Sequence, residues 1–335
     1  MAPRVLIVRL SSMGDILLTT PLLRAIRTRH PEARITYVTK TTFLPLLEHN
    51  RRIDELIGYD PIKPLAPLGR YLAQGGFTHR LDLHGSLRSR RLRWMVPGAW
   101  QSYPKHRLAR TILIRTKRNR YRDRRHVVER YFDAARDLDV TPDQGSLEFF
   151  LHREALDRAD RFLAERGLGQ DRALVAVCPG AAHATKQWPT RRWQELVTHL
   201  TTRGSDVVVL GGPAEARLGE DVAAAGAEQA ASVAGAVPIG VSGAILKRAR
   251  CAVSGDTGLM HLATAVGAPV VALFGPTVEA FGFFPYHARA TVVQRDLPCR
   301  PCSPMGGQKC PLGHHRCLTE ISPEEVFEAV RRLPR

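Results

Sequence analysis

Short apolar runs rich in β-branched residues recur along this chain. Between them lie stretches in which apolar positions return every three or four residues. The first run, Arg4-Val-Leu-Ile-Val-Arg-Leu10, reads as a parallel strand buried on both faces. Leu22, Leu23 and Ile26 share one face of a following helix that ends near His30-Pro31. Pro21 falls in its first turn or two, where a helix tolerates proline. Residues 34–39 form a second strand, so the unit is βαβ with a right-handed crossover. Residues 53–59 and 80–84 continue the strand series, and a basic helix follows Gly85. Residues 127–138 and 157–167 read as helices, the second as a bridge between halves, whereas 105–125 are too basic and aperiodic to assign.

The alternation restarts at 173–178. A helix over 191–203 turns Trp193, Leu196, Val197 and Leu200 inward, and a strand over 206–210 is closed by Gly211-Gly212-Pro213. A short strand ends at Ser254, a helix spans 258–267, and another strand spans 269–274. Residues 298–317 form an irregular loop. Ser322, Pro323 and Glu325 mark the start of a last helix over 323–333. Two βα series in 335 residues predict an α/β protein of two doubly wound domains facing across a cleft. The expected boundaries are 1–168 and 169–321, with 322–335 packing back toward the first domain.

The charge changes this picture. The formal net charge is +17, and residues 86–130 hold 15 Lys or Arg against two acids, Asp123 and Glu129. Such a field attracts anionic partners: nucleic acid, anionic lipid headgroups or a phosphorylated glycolipid. A merely solvated surface is the plain alternative. No helix-turn-helix, RNA-binding sheet signature or aromatic-interleaved basic strip supports nucleic acid. No apolar run reaches the roughly 18 residues of a spanning helix. The opening residues lack the pattern of a signal peptide, so a cytoplasmic location is expected.

Three segments carry candidate chemistry. Arg9-Leu-Ser-Ser-Met-Gly-Asp15 lies where a parallel strand ends, the edge at which such sheets bind ligands. Gly14 permits a sharp turn there, and Asp15 is placed to take a proton from an attacking hydroxyl or, alternatively, to cap a helix. In Pro179-Gly-Ala-Ala-His-Ala-Thr-Lys-Gln-Trp-Pro189, Lys186 is a compact charge for a phosphate and Thr185 adds a hydroxyl. Lys186 also reads as an ordinary loop lysine. In Ser254-Gly-Asp-Thr-Gly-Leu-Met-His-Leu-Ala-Thr264, strand passes into helix at Asp256-Thr257-Gly258, where N–H groups can bind phosphate. His261, a turn in, reaches the loop or serves the core. No G-x-G-x-x-G dinucleotide fingerprint is present.

Cys178 and Cys251 lie in apolar runs, whereas Cys299, Cys302, Cys310 and Cys317 fall in one 19-residue window. Those four could ligate a structural Zn²⁺ or an iron–sulfur cluster, with His314 and His315 as spare ligands, or remain thiols or a disulfide.

Together these motifs resemble the ADP-heptose:lipopolysaccharide heptosyltransferase family. Leu81-Asp-Leu-His-Gly-Ser-Leu-Arg-Ser89 and the cysteine-rich tail add to the likeness, which spans almost the whole chain in order. The resemblance implies a GT-B fold of two Rossmann-like domains, the first binding acceptor and the second nucleotide sugar. It implies inverting transfer of L-glycero-D-manno-heptose from ADP-heptose, with no cofactor required for catalysis. The acceptor would be a phosphorylated Kdo/heptose–lipid A, met by a peripheral protein at the cytoplasmic face of the inner membrane. By position, Asp15 matches the general base and Lys186 the group that steadies the departing diphosphate. Thr185, Asp256, Thr257, Gly258 and His261 match the donor loops, and Glu215 the acid on the ribose hydroxyls. Ser12, Gly14, His84 and Arg88 fall on the acceptor side.

Overall fold

The computed structural model describes residues 2–333. Its backbone forms two sheets in which every strand pairing is parallel. The first holds β1 (Arg4–Val8), β2 (Arg34–Lys40), β3 (Glu55–Tyr59), β4 (His79–Asp82) and β5 (Trp100–Ser102), in the order β3-β2-β1-β4-β5. The second holds β6 (Ala173–Cys178), β7 (Ser205–Val209), β8 (Ala230–Ser232), β9 (Cys251–Gly255), β10 (Val270–Phe274) and β11 (Ala290–Gln294), in the order β11-β10-β9-β6-β7-β8. The central strands are the ones the apolar runs announce. Val5 to Val8 and Val175 to Cys178 are fully buried, as a strand covered on both faces must be. Edge strands β5, β8 and β11 keep intermediate or exposed residues and give no such signal.

By its contacts the chain divides into two units: residues up to Lys105 with Arg125–Phe150, and His106–Arg124 with Leu151–Arg335. The boundary expected after residue 168 therefore falls earlier. The helix Arg153–Glu165 joins the second unit because it buries Ala155, Ala159 and Leu163 and packs on the helix Ile239–Arg248. Residues 106–124 also belong to the second unit. There the helix Arg107–Thr116 gives Leu113 to a small cluster with Tyr121 and Phe281. The basic segment, continuous in sequence, is thus shared between units.

The last helix, Pro323–Arg332, starts as expected: Ser322 Oγ accepts from the Glu325 N–H at 3.2 Å. Its predicted packing toward the first domain is corrected. Val326, Phe327 and Val330 are buried in the second unit's core with Trp193, Leu196 and Leu200 of the helix Thr190–Thr202. Its single apolar face is thereby used. The final two residues of the predicted segment lie outside the described ones.

Candidate active site

In the first unit the chain leaves β1 and enters the short helix Met13–Leu17. Asp15 occupies its third position. Its carboxylate accepts from Ser12 Oγ at 2.8 Å and from the Ser12 N–H at 3.2 Å. The other oxygen lies 2.6 Å from the Arg9 guanidinium. One Asp15 oxygen thus fixes the helix start while the other meets a cation. Gly14 is buried within that helix instead of making the expected turn.

Arg9 was legible only as a charge at the end of a buried strand. It donates to the Leu83 carbonyl and lies 5.8 Å from the centre of the Tyr131 ring. Burial alone would push the Asp15 carboxyl up. Arg9 first, then Ser12, outweigh it and hold the carboxyl below its ordinary range.

His84 stands on the loop after β4. Asp82, 1% exposed, strings this loop together: one oxygen accepts from the N–H groups of His84 at 3.0 Å and Gly85 at 2.7 Å. Its other oxygen accepts from Ser89 Oγ at 3.1 Å. Gly85 adopts φ 58°, and a Cβ there would sit 2.9 Å from Lys105 Nζ, which donates to the His84 carbonyl. Burial, then Arg9 and Lys105, push the His84 imidazole down to about 4, against smaller opposing effects of Asp82 and Asp15. His84 is therefore neutral at pH 7 and close enough to feel both members of the Arg9–Asp15 pair. Arg88 is exposed on the next helix, Leu87–Met95, 5.7 Å from the Tyr59 ring centre. Ser12 is exposed beside Asp15.

In the second unit two strand ends meet. Lys186, after β6, places Nζ 2.6 Å from Asp256 Oδ2 and 3.2 Å from the Asp256 carbonyl, after β9. Thr277, after β10, donates to the same Asp256 oxygen at 2.7 Å, a partner the sequence did not reveal. Thr257 caps the helix Gly258–Ala265 by position, its hydroxyl 3.1 Å from Ser254 Oγ. Thr257 and Gly258 keep partial exposure, so the first N–H groups of this helix face an accessible loop. His261 is 4% exposed within it.

Thr185 is buried and fixed from three sides. Its N–H donates to the Gly307 carbonyl at 3.0 Å, its hydroxyl accepts from the Gly307 N–H at 2.8 Å, and its carbonyl lies 2.9 Å from the His315 ring. Trp188, at the loop's end, donates its indole N–H to the Ile321 carbonyl at 3.2 Å. Glu215 accepts from the Gly212 N–H at 2.7 Å, and its side chain covers Gly180, where a Cβ would lie 2.3 Å from Cγ. The structure thus joins Lys186 with Asp256, and Glu215 with the loop that leads to Lys186.

All six cysteines are free thiols. Among the described residues no group of three or more His, Cys, Asp or Glu is arranged to hold a metal ion. Cys299, Cys302, Cys310 and Cys317 are near enough to affect one another, but Cys317 is part of the second unit's core. Burial, then Cys302, pushes its thiol up to about 11.

Two parallel-sheet α/β units of this kind are the GT-B architecture. The chain belongs to glycosyltransferase family 9, the heptosyltransferases, whose family model matches residues 65–312. It is similar to lipooligosaccharide heptosyltransferase 2 of Haemophilus influenzae, 27% identical with 98% of this chain and 99% of that one covered. It is 28% identical to lipopolysaccharide heptosyltransferase 2 of Salmonella typhimurium, with 98% of each covered. Among solved structures, a family 9 glycosyl transferase from Veillonella parvula superposes with a TM-score of 0.82 at 27% identity, covering 99% of this chain and 97% of that one. The ADP-heptose lps heptosyltransferase II of E. coli shares the fold, with a TM-score of 0.74 at 23% identity over 98% of each chain.

Proposed function

We propose that this protein transfers L-glycero-D-manno-heptose from ADP-heptose to the inner core of lipopolysaccharide, with inversion and without a metal ion. The observation that carries the reading is the Lys186–Asp256 pair beside the start of the helix Gly258–Ala265, in a chain of family 9. An acceptor hydroxyl forms the new C–O bond at the anomeric carbon as the bond to the diphosphate breaks. Asp15 takes the hydroxyl proton. Lys186 and the N–H groups at Thr257 and Gly258 balance the charge left on ADP, a duty worth about 3–4 kcal/mol per well-aimed donor. Thr185 and Asp256 position Lys186, Glu215 receives the ribose hydroxyls, and His261 supports the helix from inside. Ser12, Gly14, His84 and Arg88 shape the acceptor side. Neutral His84 offers a hydrogen bond there, not a charge.

The acceptor is a phosphorylated Kdo/heptose–lipid A, and the protein works peripherally on the cytoplasmic face of the inner membrane. The basic charge of residues 86–130 supports an anionic acceptor. Among the described residues no helix is long and apolar enough to cross a membrane.

The test is ADP release from ADP-heptose with defined inner-core acceptors. Asp15→Asn should lose about 10²–10⁴ in kcat while binding ADP as before; full turnover in that variant would refute the base assignment. Turnover of a different nucleotide sugar, with none of ADP-heptose, would move the reading to a related transferase.

A further inference from the structure

The helix Leu87–Met95 carries Arg88, Arg90, Arg91 and Arg93 and no acid. One face is fixed to the first unit, with Leu92 and Ser89 each 1% exposed. The opposite face is open. Leu87 is 79% exposed and Trp94 is 87% exposed. Positions seven apart lie on nearly one line of a helix, so these two side chains share one face, with Arg91 a turn from each between them. Met95 extends it toward the helix Ala66–Ala73, where its side chain lies over Gly69. Arg90 and Arg88 flank this face, and all three arginines are exposed.

We propose that this face docks the protein on an anionic phospholipid surface, with Leu87 and Trp94 entering the headgroup layer and the arginines meeting lipid phosphates. Lipid supplies both things the face lacks, an apolar interior within a few ångströms and negative charge at its edge. Indole prefers that boundary. A second copy of this chain fits poorly, because a symmetric contact would set the same arginines against each other. Nucleic acid would pair the arginines but leave Leu87 in water. The helix begins three residues after His84, and Ser89 on it shares the carboxylate of Asp82 with the His84 loop. Docking would thus hold the acceptor side of the protein against the surface that bears a lipid-linked acceptor. The inference rests on the reading of a lipid-linked acceptor and commits it to one helix face.

The experiment is sedimentation of the full chain with vesicles of phosphatidylcholine alone, or of equal parts phosphatidylcholine and phosphatidylglycerol. Transfer to a soluble, deacylated acceptor is measured in parallel. Wild type should bind the anionic vesicles at least about tenfold better than the neutral ones, and added salt should weaken binding. Leu87→Ser with Trp94→Ser, and separately Arg90→Gln with Arg91→Gln, should each weaken that binding about tenfold. Melting curves and turnover of the soluble acceptor should stay unchanged. Equal sedimentation with both vesicle types overturns the proposal, as does wild-type binding by either double variant. Binding of a labelled oligonucleotide without vesicle binding gives the face to nucleic acid and also overturns it. Failure to turn over the soluble acceptor in wild type would instead strike the transferase reading, and the vesicle data would stand apart from it.

Discussion

The two halves of this chain carry the same device with opposite polarity. Each sets an ion pair where parallel strands end and a helix begins. In the first unit the cation is the more deeply buried member, with Arg9 side-chain exposure 7% against 22% for Asp15. In the second the order reverses, with Asp256 at 9% and Lys186 at 14%. In each pair the more hidden member holds the other in place. One unit thus leaves a carboxylate the more exposed member of its pair and the other an ammonium, the two charges that the proposed transfer calls on. Two similar sheets need not duplicate a function, because which partner is sunk decides what chemistry faces outward.

If this reversal is right, removing the presented charge of the second unit should hurt transfer most. Lys186→Ala should lower kcat by about 10²–10³ and weaken ADP binding, measured by single-turnover kinetics and calorimetry. Unchanged rate and affinity would break the comparison. Removing the hidden cation of the first unit should act differently. Arg9→Met leaves Asp15 partly buried without its partner. It should cost about 2 kcal/mol of stability in denaturant unfolding, less than for a fully buried pair because Asp15 keeps some solvent. It should also move the acid limb of kcat/KM upward. With Arg9 present the folded carboxyl titrates below its ordinary value, so the pair's stability is present above that value and is lost as pH falls through the folded one. An unmoved limb would sever Arg9 from Asp15.

The smallest effect concerns His84. Its folded value of about 4 lies below the ordinary 6.5, so between these the unfolded chain binds the proton first. Stability should fall on acidification through this window. The loss should be about 1 kcal/mol, given partial exposure, and His84→Gln should remove it from melts compared at pH 7 and pH 4.5.

Much of this arrangement could be read from residues alone. Val5 to Val8 and Val175 to Cys178 declare central strands because burial on both faces demands uninterrupted apolar side chains. Trp100–Ser102 and Ala230–Ser232 do not, being three-residue edge strands half in solvent. The helix Arg153–Glu165 announces its apolar face but not which core receives it, so the domain boundary was misplaced. The same ambiguity misdirected the helix Pro323–Arg332. At the site, Asp15, Lys186 and Asp256 are visible as motif residues. Their partners are not: Arg9 reads as part of a strand, and Thr277 reaches Asp256 from 21 positions away. The four clustered cysteines show by spacing that they can meet, but not that Cys317 is buried in the second unit's core.

One contact bears on when this chain becomes competent. Trp188 closes the Lys186 loop onto the Ile321 carbonyl, 133 positions downstream. During synthesis the first unit's carboxylate exists long before that anchor emerges. A nascent chain therefore carries Asp15 in place while the Lys186 loop still waits for the Ile321 carbonyl that anchors Trp188.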